Sequence, residues 1–170
     1  VEAVIPHLNR LARRHSTEAY YAVRSRYNSS NRYSRAERAA MFIYLNKTCF
    51  NGLHRVNHKG EFNVPAGRYN NPRILNSEAL RAASRQLNCA QLRADSFEHL
   101  IASAKPGDFV YFDPPYEPVS QTANFTSYSR GGFSREDQIR LRDVFVELDR
   151  RRCKLMLSNS DTPLIRNLYR

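Results

Sequence analysis

The sequence predicts an α/β fold in which a helical region comes before a parallel sheet. Apolar residues recur at helical spacing through the first half of the 170 residues, whereas short apolar runs alternate with helical segments in the second half. Strands that alternate with helices are typical of parallel pairing in an α/β layer. We therefore expect two regions: a helical one at residues 1–85 with a β-hairpin at 49–73, and a sheet-bearing one at residues 86–170.

Three helices are predicted before residue 50. An apolar stripe from Val4 to Leu11 marks the first, which has to place Pro6 in its first turn. Residues 17–27 form a second, shorter candidate. Ser34 and Glu37 have the spacing of a capping box, and the apolar stripe after them predicts a third helix to about residue 47.

The pattern changes between Cys49 and Pro72, where the sequence reads CFNGLHRVNHKGEFNVPAGRYNNP. Gly, Asn and Pro recur every few residues, and helical periodicity disappears. This segment is therefore predicted as a loop or a bent hairpin.

After this segment, helices and strands alternate. A helix at 76–87, capped by Asn76 or Ser77, precedes in order a strand candidate (CAQLRA), a short helix (SFEHLIASA), a buried strand (DFVYF), a capped amphipathic helix (FSREDQIRLRDVFVELDRR) and a further strand (CKLMLS). The connection at 117–132 is longer than strand-to-helix loops normally are, which predicts a lid or a disordered loop.

The charge balance indicates a polyanionic partner. Lys and Arg number 27 against 16 Asp and Glu, which gives a formal net charge of +11. A field of this sign attracts phosphate backbones and makes binding weaken with salt, although the excess can also serve solubility alone. Because no apolar stretch is long enough for a membrane span and the N-terminal segment lacks a signal-peptide core, we expect an intracellular, cytoplasmic protein.

The clearest chemistry lies in four residues that follow the predicted buried strand FVYF, namely Asp113, Pro114, Pro115 and Tyr116. Ligands of α/β sheets gather beyond the carboxyl ends of strands. Neither proline has an N–H, so the turn presents carbonyl acceptors beside the Asp113 carboxylate, and Tyr116 offers a flat face. This combination fits a planar molecule with an exocyclic amine, such as a nucleobase, whose amine two acceptors can hold for attack on an activated methyl group. A plain Asp-Pro turn after a strand is the alternative.

These residues, with their surroundings, resemble the Dam-type DNA adenine N6-methyltransferases, whose hallmark is Asp-Pro-Pro-Tyr in the catalytic pocket. Residues 42–69, FIYLNKTCFNGLHRVNHKGEFNVPAGRY, are similar to that family's DNA-reading hairpin, and LMLSNSDT is similar to its later strand and turn. The resemblance implies a partial Rossmann-like methyltransferase sheet. Residues 86–170 would be the catalytic half of that domain, and residues 1–85 the target-recognition region.

The resemblance also implies roles for the motif residues. A flipped adenine would lie beside Asp113 and Pro114 and stack on Tyr116, with S-adenosylmethionine as methyl donor. LRADSFEHL matches the place where the family contacts the cofactor's adenine, so Asp95 and Phe97 are expected to bind the cofactor together with Asp113. Asp95 fits a helix-cap or strand-end carboxylate equally well, and Phe97 fits a core residue.

By the same resemblance, the segment at 49–73 would read double-stranded DNA. Arg55 could donate to guanine O6 and N7, and Leu53 and Pro65 would touch a thymine methyl. Phe50 and Asn51 would fill the gap left by the flipped base, and the implied target is GATC or a site that contains it. The DNA-binding residues expected from this segment are Phe50, Asn51, Leu53, Arg55, Asn57, Lys59, Pro65, Arg68 and Tyr69. The cations expected to meet phosphates are Lys59, Arg68 and Arg73. For any one cation, a solvated surface position is the alternative.

No metal site is expected. His54 and His58 stand four residues apart, but the surrounding Gly and Asn argue against a helix, and no Cys lies nearby in a ligand pattern.

The chain also departs from the resembled family. Its six glycines include no Phe-x-Gly-x-Gly turn, which is the family's cofactor motif, and the family's upstream Lys-containing segment is missing. We therefore expect an internal piece of a methyltransferase that by itself is inactive. The alternatives are a catalytically inactive DNA-binding remnant, and a methyltransferase for RNA or for a protein amide. The family further suggests a restriction endonuclease as partner and a prokaryotic or phage protein associated with the nucleoid.

Overall fold

The computed structural model of this chain describes residues 1–29, 32–119 and 133–170. The lid or disordered loop predicted at 117–132 falls outside these ranges from residue 120 onward. The chain divides into two compact units, Val1–Leu92 and Arg93–Arg170. The first unit is built from helices and the second contains a small parallel sheet, so the prediction of a mixed α/β chain is confirmed.

Among the described residues, the first unit has four α-helices: α1 Val4–Arg13, α2 Thr17–Asn28, α3 Arg35–Thr48 and α4 Ser77–Leu87. Polar side chains begin three of them by accepting hydrogen bonds from backbone N–H groups that have no partner inside the helix. Ser16 caps α2 and Asn76 caps α4. The capping box predicted before α3 is confirmed, because Ser34 accepts from the Glu37 N–H and Glu37 accepts from the Ser34 N–H.

The segment between α3 and α4 folds back onto the helices. Phe62, Val64 and Ile74 are buried in the same apolar cluster as Tyr20 of α2 and Tyr44 of α3. Burial of an apolar side chain is worth about 1.5–3 kcal/mol, so an otherwise irregular segment gains a defined path from three such anchors.

Side chains of α2 also hold this segment by hydrogen bonds. The Tyr20 hydroxyl donates to the carbonyl of Val64 at 2.8 Å, and the Arg24 guanidinium donates to the same oxygen at 2.9 Å. Burial raises the pKa of Tyr20, so its hydroxyl remains a donor. Asn28 makes a paired contact with the backbone of Phe62: its Nδ2 donates to the carbonyl at 2.9 Å, and its Oδ1 accepts from the N–H at 2.8 Å.

The β-hairpin predicted at 49–73 does not form a regular ladder. It holds two isolated antiparallel bridges, Cys49 with Ala66 and Val56 with Phe62. Side chains bind several of the backbone N–H groups in this segment. Asn57 Oδ1, for example, accepts from the N–H groups of Lys59 and Glu61 at 2.9 and 3.0 Å.

In the described part of the second unit, the regular elements are α5 Leu100–Ser103, β1 Phe109–Phe112, α6 Arg135–Arg150, β2 Lys154–Leu157 and α7 Pro163–Leu168, with a 3₁₀ turn at Phe97–His99 before α5. β1 and β2 pair in parallel, with Phe109 opposite Lys154 and Phe112 opposite Leu157. One face of this pair packs on α6, whose Leu141, Val144 and Leu148 are buried. The predicted strands DFVYF and CKLMLS and the capped helix between them are therefore confirmed.

The strand predicted at CAQLRA is wrong. Residues 91–96 have no regular secondary structure, and Leu92 is 75% exposed. An alternating apolar pattern forms a strand only where a neighbouring strand supplies its hydrogen bonds, and β1 and β2 pair with each other alone among the described strands.

The paired contact of Asn28 can be tested by substitution. Asn28→Ala would leave the N–H and the carbonyl of Phe62 without their partner, so we expect the free energy of unfolding to fall by about 1–3 kcal/mol. Denaturant titration measures this. Asn9→Ala on α1 is the matched control, because no side-chain hydrogen bond of Asn9 is described, and it should change stability by less than about 0.5 kcal/mol. Equal effects of the two substitutions would contradict the role given to Asn28.

Candidate active site and nucleic-acid interface

Asp113 lies just beyond the edge where β1 and β2 both end. The register that pairs Phe112 with Leu157 continues for one more step, because the Ser158 N–H donates to the carbonyl of Phe112 at 3.0 Å. Asp113 and Ser158 are thereby placed side by side. The Ser158 hydroxyl donates to Asp113 Oδ1 at 2.6 Å, and the Tyr111 hydroxyl donates to Ser158 Oγ at 2.9 Å.

This arrangement leaves acceptors open to a ligand. Asp113 is exposed, and its second oxygen, Oδ2, accepts no hydrogen bond from the described residues. The carbonyl of Pro114 likewise has no partner within the described ranges. Tyr116, two residues further on, keeps 47% of its surface exposed. A carboxylate oxygen, a carbonyl oxygen and an aromatic ring are thus available within four consecutive residues.

The turn is held from inside the unit by two amide side chains. Gln138 on α6 is 1% exposed, and its Nε2 donates to the carbonyl of Pro115 at 3.2 Å. Asn159, which follows β2, donates from Nδ2 to Gln138 Oε1 at 3.1 Å. Asn159 Oδ1 accepts from the N–H of Glu117 at 2.9 Å and from that of Ser160 at 2.9 Å. The two amides therefore connect α6, the turn after β1 and the turn after β2.

The start of α6 is itself fixed by a capping box between Ser134 and Asp137. The Ser134 N–H that donates to Asp137 lowers the pKa of that carboxyl. Gln138 is the next residue, so it projects from a well-anchored first turn.

The two residues proposed to contact a cofactor differ in their surroundings. Asp95 has a side chain that is 43% exposed and lies 3.5 Å from the ring of His99. Phe97 is half-buried and packs beside Phe133, with ring centroids 6.1 Å apart, and the Arg140 guanidinium lies 5.6 Å from its ring centre. Asp95 is thus accessible to a ligand, whereas much of Phe97 is used in packing.

In the first unit, a tight turn projects apolar side chains outward. Phe50–Gly52 form a 3₁₀ turn in which Asn51 and Gly52 both have left-handed backbone angles, with φ of 52° and 63°. Asn and Gly are the residues that adopt this conformation most readily. Asn46 donates from Nδ2 to the Gly52 carbonyl at 2.9 Å and secures the turn. As a result Phe50 is 48% exposed and Leu53 is 44% exposed.

Arg55 is exposed but oriented. Its Nε donates to Asn63 Oδ1 at 2.8 Å, and Nη2 lies 3.4 Å from the carbonyl of Asn63. These two contacts hold the guanidinium against Asn63, and Nη1 has no hydrogen bond among the described residues. A guanidinium can make paired hydrogen bonds to two acceptors, and Nη1 is the terminal nitrogen left for such a contact.

The other residues predicted to bind DNA lie largely on the surface. Asn57 is half-buried, and the exposed ones are Phe50, Asn51, Leu53, Arg55, Lys59, Pro65, Arg68 and Tyr69. Eight of the nine predicted residues on this segment are therefore accessible to a ligand.

His54 has a packing role. Its ring lies 5.7 Å from those of Phe42 and Phe62. No group of three or more His, Cys, Asp or Glu side chains suited to a metal ion occurs in the described ranges.

Positive charge is concentrated in the first unit. Residues 1–92 contain 15 Lys and Arg against five Asp and Glu, whereas residues 93–170 contain 12 against 11. In the second unit many acidic groups are in ion pairs, such as Asp137 with Arg140 and Glu147 with Arg151. The unit that exposes Arg55 and Phe50 is therefore also the one with the larger excess of positive charge.

Comparison with known proteins identifies the family. The sequence matches the D12 class of N6 adenine-specific DNA methyltransferases over residues 1–170. The chain belongs to this family.

Named relatives agree with this family. The type II methyltransferase M1.LlaDCHI of Lactococcus lactis subsp. cremoris is 46% identical, over 99% of this chain and 61% of the relative. The type II methyltransferase M.MjaIII of Methanocaldococcus jannaschii is 49% identical, over 84% of this chain and 50% of the relative. The DNA adenine methylase of Escherichia coli K12 is 41% identical, over 89% and 54%. The chain thus spans between half and about three fifths of these relatives' lengths.

Within the described residues, every helix is too short or too polar to cross a lipid bilayer.

Four residues near the candidate sites were not singled out by the sequence analysis: Asn63, Gln138, Ser158 and Asn159. For Ser158 and Asn159 a signal existed, because Ser158 ends the predicted strand CKLMLS and Asn159 directly follows it, which places both at the same sheet edge as Asp113. Gln138 offered a weaker one, as a polar residue on the apolar stripe of an amphipathic helix. For Asn63 there was none, since its contact depends on the irregular path of the 49–73 segment.

Proposed function

We propose that this protein acts as a site-specific DNA adenine N6-methyltransferase that uses S-adenosylmethionine and takes its target base out of the duplex. The observation that carries the proposal is the edge of β1, where Asp113 Oδ2 and the Pro114 carbonyl have no hydrogen-bond partner among the described residues and Tyr116 is exposed. Membership of the D12 family supports it.

The proposed role of this edge is to hold an extruded adenine. The two open acceptors take the two hydrogens of the exocyclic amine, and Tyr116 stacks on the ring. Extrusion costs a few kcal/mol, roughly, which stacking and hydrogen bonding offset. The amine is a poor nucleophile because its lone pair is delocalised into the ring. Two acceptors in fixed positions draw its hydrogens out of the ring plane and so direct the lone pair toward the methyl donor.

The residues present fit a cofactor in part. S-adenosylmethionine, when bound, supplies a methyl group on a positively charged sulfur. Asp113 is an exposed carboxylate that suits such a cation, and Asp95 together with the exposed part of Phe97 can meet the cofactor's adenine. We place these residues, and the βαβ unit that carries Asp113, in a Rossmann-like sheet of the family's kind.

Sequence recognition is assigned to the segment at 49–73. Arg55 would donate to guanine O6 and N7 once Nη2 leaves its long contact with the Asn63 carbonyl, and the exposed Leu53 and Pro65 suit thymine methyl groups. Phe50 and Asn51 would occupy the space that the extruded base leaves. The target is proposed to be GATC or a site that contains it. Phosphate contacts are assigned to Lys59, Arg68 and Arg73.

The charges of the two units suggest different functions for them. The first, with 15 basic against five acidic residues, is proposed as the DNA-binding region, and the second as the catalytic half. Duplex DNA as substrate agrees with a location in the cytoplasm of a prokaryote or in a phage-infected cell, at the nucleoid. A restriction endonuclease that cuts the same site is a partner suggested by the names of two relatives as type II methyltransferases.

The catalytic role of Asp113 is tested with Asp113→Asn in the complete gene product. The substitution keeps the shape but removes the charge and one acceptor, so we expect the rate of methyl transfer to a GATC duplex to fall by about 100-fold or more. DNA affinity should change by less than about threefold, because charge removal here touches no phosphate contact. Labelled S-adenosylmethionine gives the rate.

Asp108→Asn is the matched control. Asp108 immediately precedes β1, and it accepts from the Lys105 N–H at 2.8 Å, so it is a carboxylate at the other end of the same strand. Its substitution should leave the rate unchanged. Transfer by Asp113→Asn at the original rate would contradict the proposed chemistry. Transfer to RNA but not to duplex DNA, or specific DNA binding without transfer by the unsubstituted protein, would replace the proposed function.

Arg55 offers a test of sequence reading. Arg55→Ala should remove about 1–3 kcal/mol of discrimination at the guanine of the target. Asn63→Ala should act in the same direction and more weakly, because it frees the guanidinium without removing it. Dissociation constants for duplexes with and without that guanine, measured at several salt concentrations, give the discrimination.

Lys59→Ala is the control for charge alone. It should weaken binding to all duplexes alike and lower the slope of log K against log salt by about one. If Arg55→Ala also weakened all duplexes equally, Arg55 would be a phosphate contact and its assignment as the guanine reader would be withdrawn.

A further inference from the structure

We propose that Gln138 and Asn159 are positioning residues for catalysis, which hold Tyr116 and the open carbonyl of Pro114 in the geometry that methyl transfer needs. This inference rests on the proposed function. The two amides form a continuous hydrogen-bonded chain from the Glu117 N–H through Asn159 and Gln138 to the Pro115 carbonyl.

The direction of this chain is fixed at both ends by backbone groups. A backbone N–H can only donate and a backbone carbonyl can only accept. Asn159 must therefore turn Oδ1 toward the N–H groups of Glu117 and Ser160, which leaves Nδ2 to donate to Gln138. Gln138 must then accept with Oε1 and donate with Nε2 to Pro115. Reversal of either amide would set two acceptors or two donors against each other.

The chain encloses Tyr116. Gln138 binds the carbonyl of Pro115, and Asn159 binds the N–H of Glu117. The backbone on both sides of Tyr116 is therefore fixed. The chain also draws the Pro115 carbonyl inward, toward α6, while the preceding carbonyl of Pro114 has no partner among the described residues. One carbonyl of the turn thus serves the scaffold, and the other is left for the substrate amine.

Because Gln138 is buried, its position in the hydrogen-bonded chain requires an amide side chain. Gln138 is 1% exposed and projects from the capped first turn of α6, so water cannot readily replace a lost bond. A side chain of similar volume without the donor would leave the Pro115 carbonyl unpaired inside the unit. The turn would then be free to shift. Misplacement by about 1 Å can cost on the order of 100-fold in rate.

The experiment uses the complete gene product and compares Gln138→Glu, Gln138→Met and Asn159→Ser. Gln138→Met is the sharpest change, because its side chain has a similar volume but has no N–H to donate to Pro115, whereas Gln138→Glu lacks that donor only when its carboxyl is ionised. We expect single-turnover methyl transfer to a GATC duplex to slow by about 10- to 100-fold in each variant. Dissociation constants for DNA and for S-adenosylmethionine should stay within about threefold, because none of the changed groups is a proposed ligand contact.

Two further measurements separate positioning from general damage. Leu148→Ala removes a fully buried side chain from the far end of the same helix, so it should lower unfolding stability yet keep the single-turnover rate. A duplex with 2-aminopurine at the target adenine reports stacking, since the fluorescence of this base analogue is quenched by a stacked ring. The Gln138 variants should bind this duplex with the original affinity but show brighter fluorescence, because Tyr116 no longer holds its position. Asn159→Ser, at a half-buried site, provides the test if the Gln138 variants do not fold.

The outcomes separate the two proposals. An active unsubstituted protein whose Gln138 and Asn159 variants keep their single-turnover rate would overturn this inference alone. So would a rate loss in Leu148→Ala as large as in those variants, or a loss confined to DNA affinity. An inactive unsubstituted protein would overturn the proposed function and this inference with it.

Discussion

Parallel pairing between β1 and β2 determines where the polar groups of the candidate site lie. Because the two strands end in register, the residues that follow them meet at one edge, which places Ser158 beside Asp113 and Asn159 within reach of Glu117. α6, the element between the strands, packs its apolar stripe on one face of the pair and brings Gln138 under the turn. The βαβ connection therefore supplies, from three separate stretches of sequence, the groups that surround four consecutive residues.

In the first unit, helical side chains fix the backbone conformation of an irregular segment. Residues 49–73 contain only isolated bridges, yet α2 binds their backbone at Val64 and Phe62 through Tyr20, Arg24 and Asn28. Side chains of α2 thus make the backbone hydrogen bonds that a neighbouring strand makes in a regular sheet. The side chains on the exposed side of the segment therefore contribute little to stability, so Phe50, Leu53 and Arg55 can vary in identity with little cost to folding.

The sequence predicted the regular elements well because local signals set them. Capping at Ser34 and Ser134 and the apolar runs of β1 and β2 need no knowledge of distant residues. It failed for CAQLRA and for the hairpin ladder, since both depend on whether a partner strand is present. At the candidate site, the sequence identified Asp113 to Tyr116 as a motif. The contacts of Gln138 and Asn159 with the turn could be seen only in the structure, because the bond between α6 and the turn joins residues that are 23 positions apart.

Charge is distributed unevenly between the two units. With an excess of ten positive charges on residues 1–92 and of one on residues 93–170, the long-range pull of a phosphate backbone acts on one unit and hardly on the other. Under the proposed function, electrostatic attraction to DNA would therefore act mainly through residues 1–92. The second unit would then add little to the salt dependence of binding.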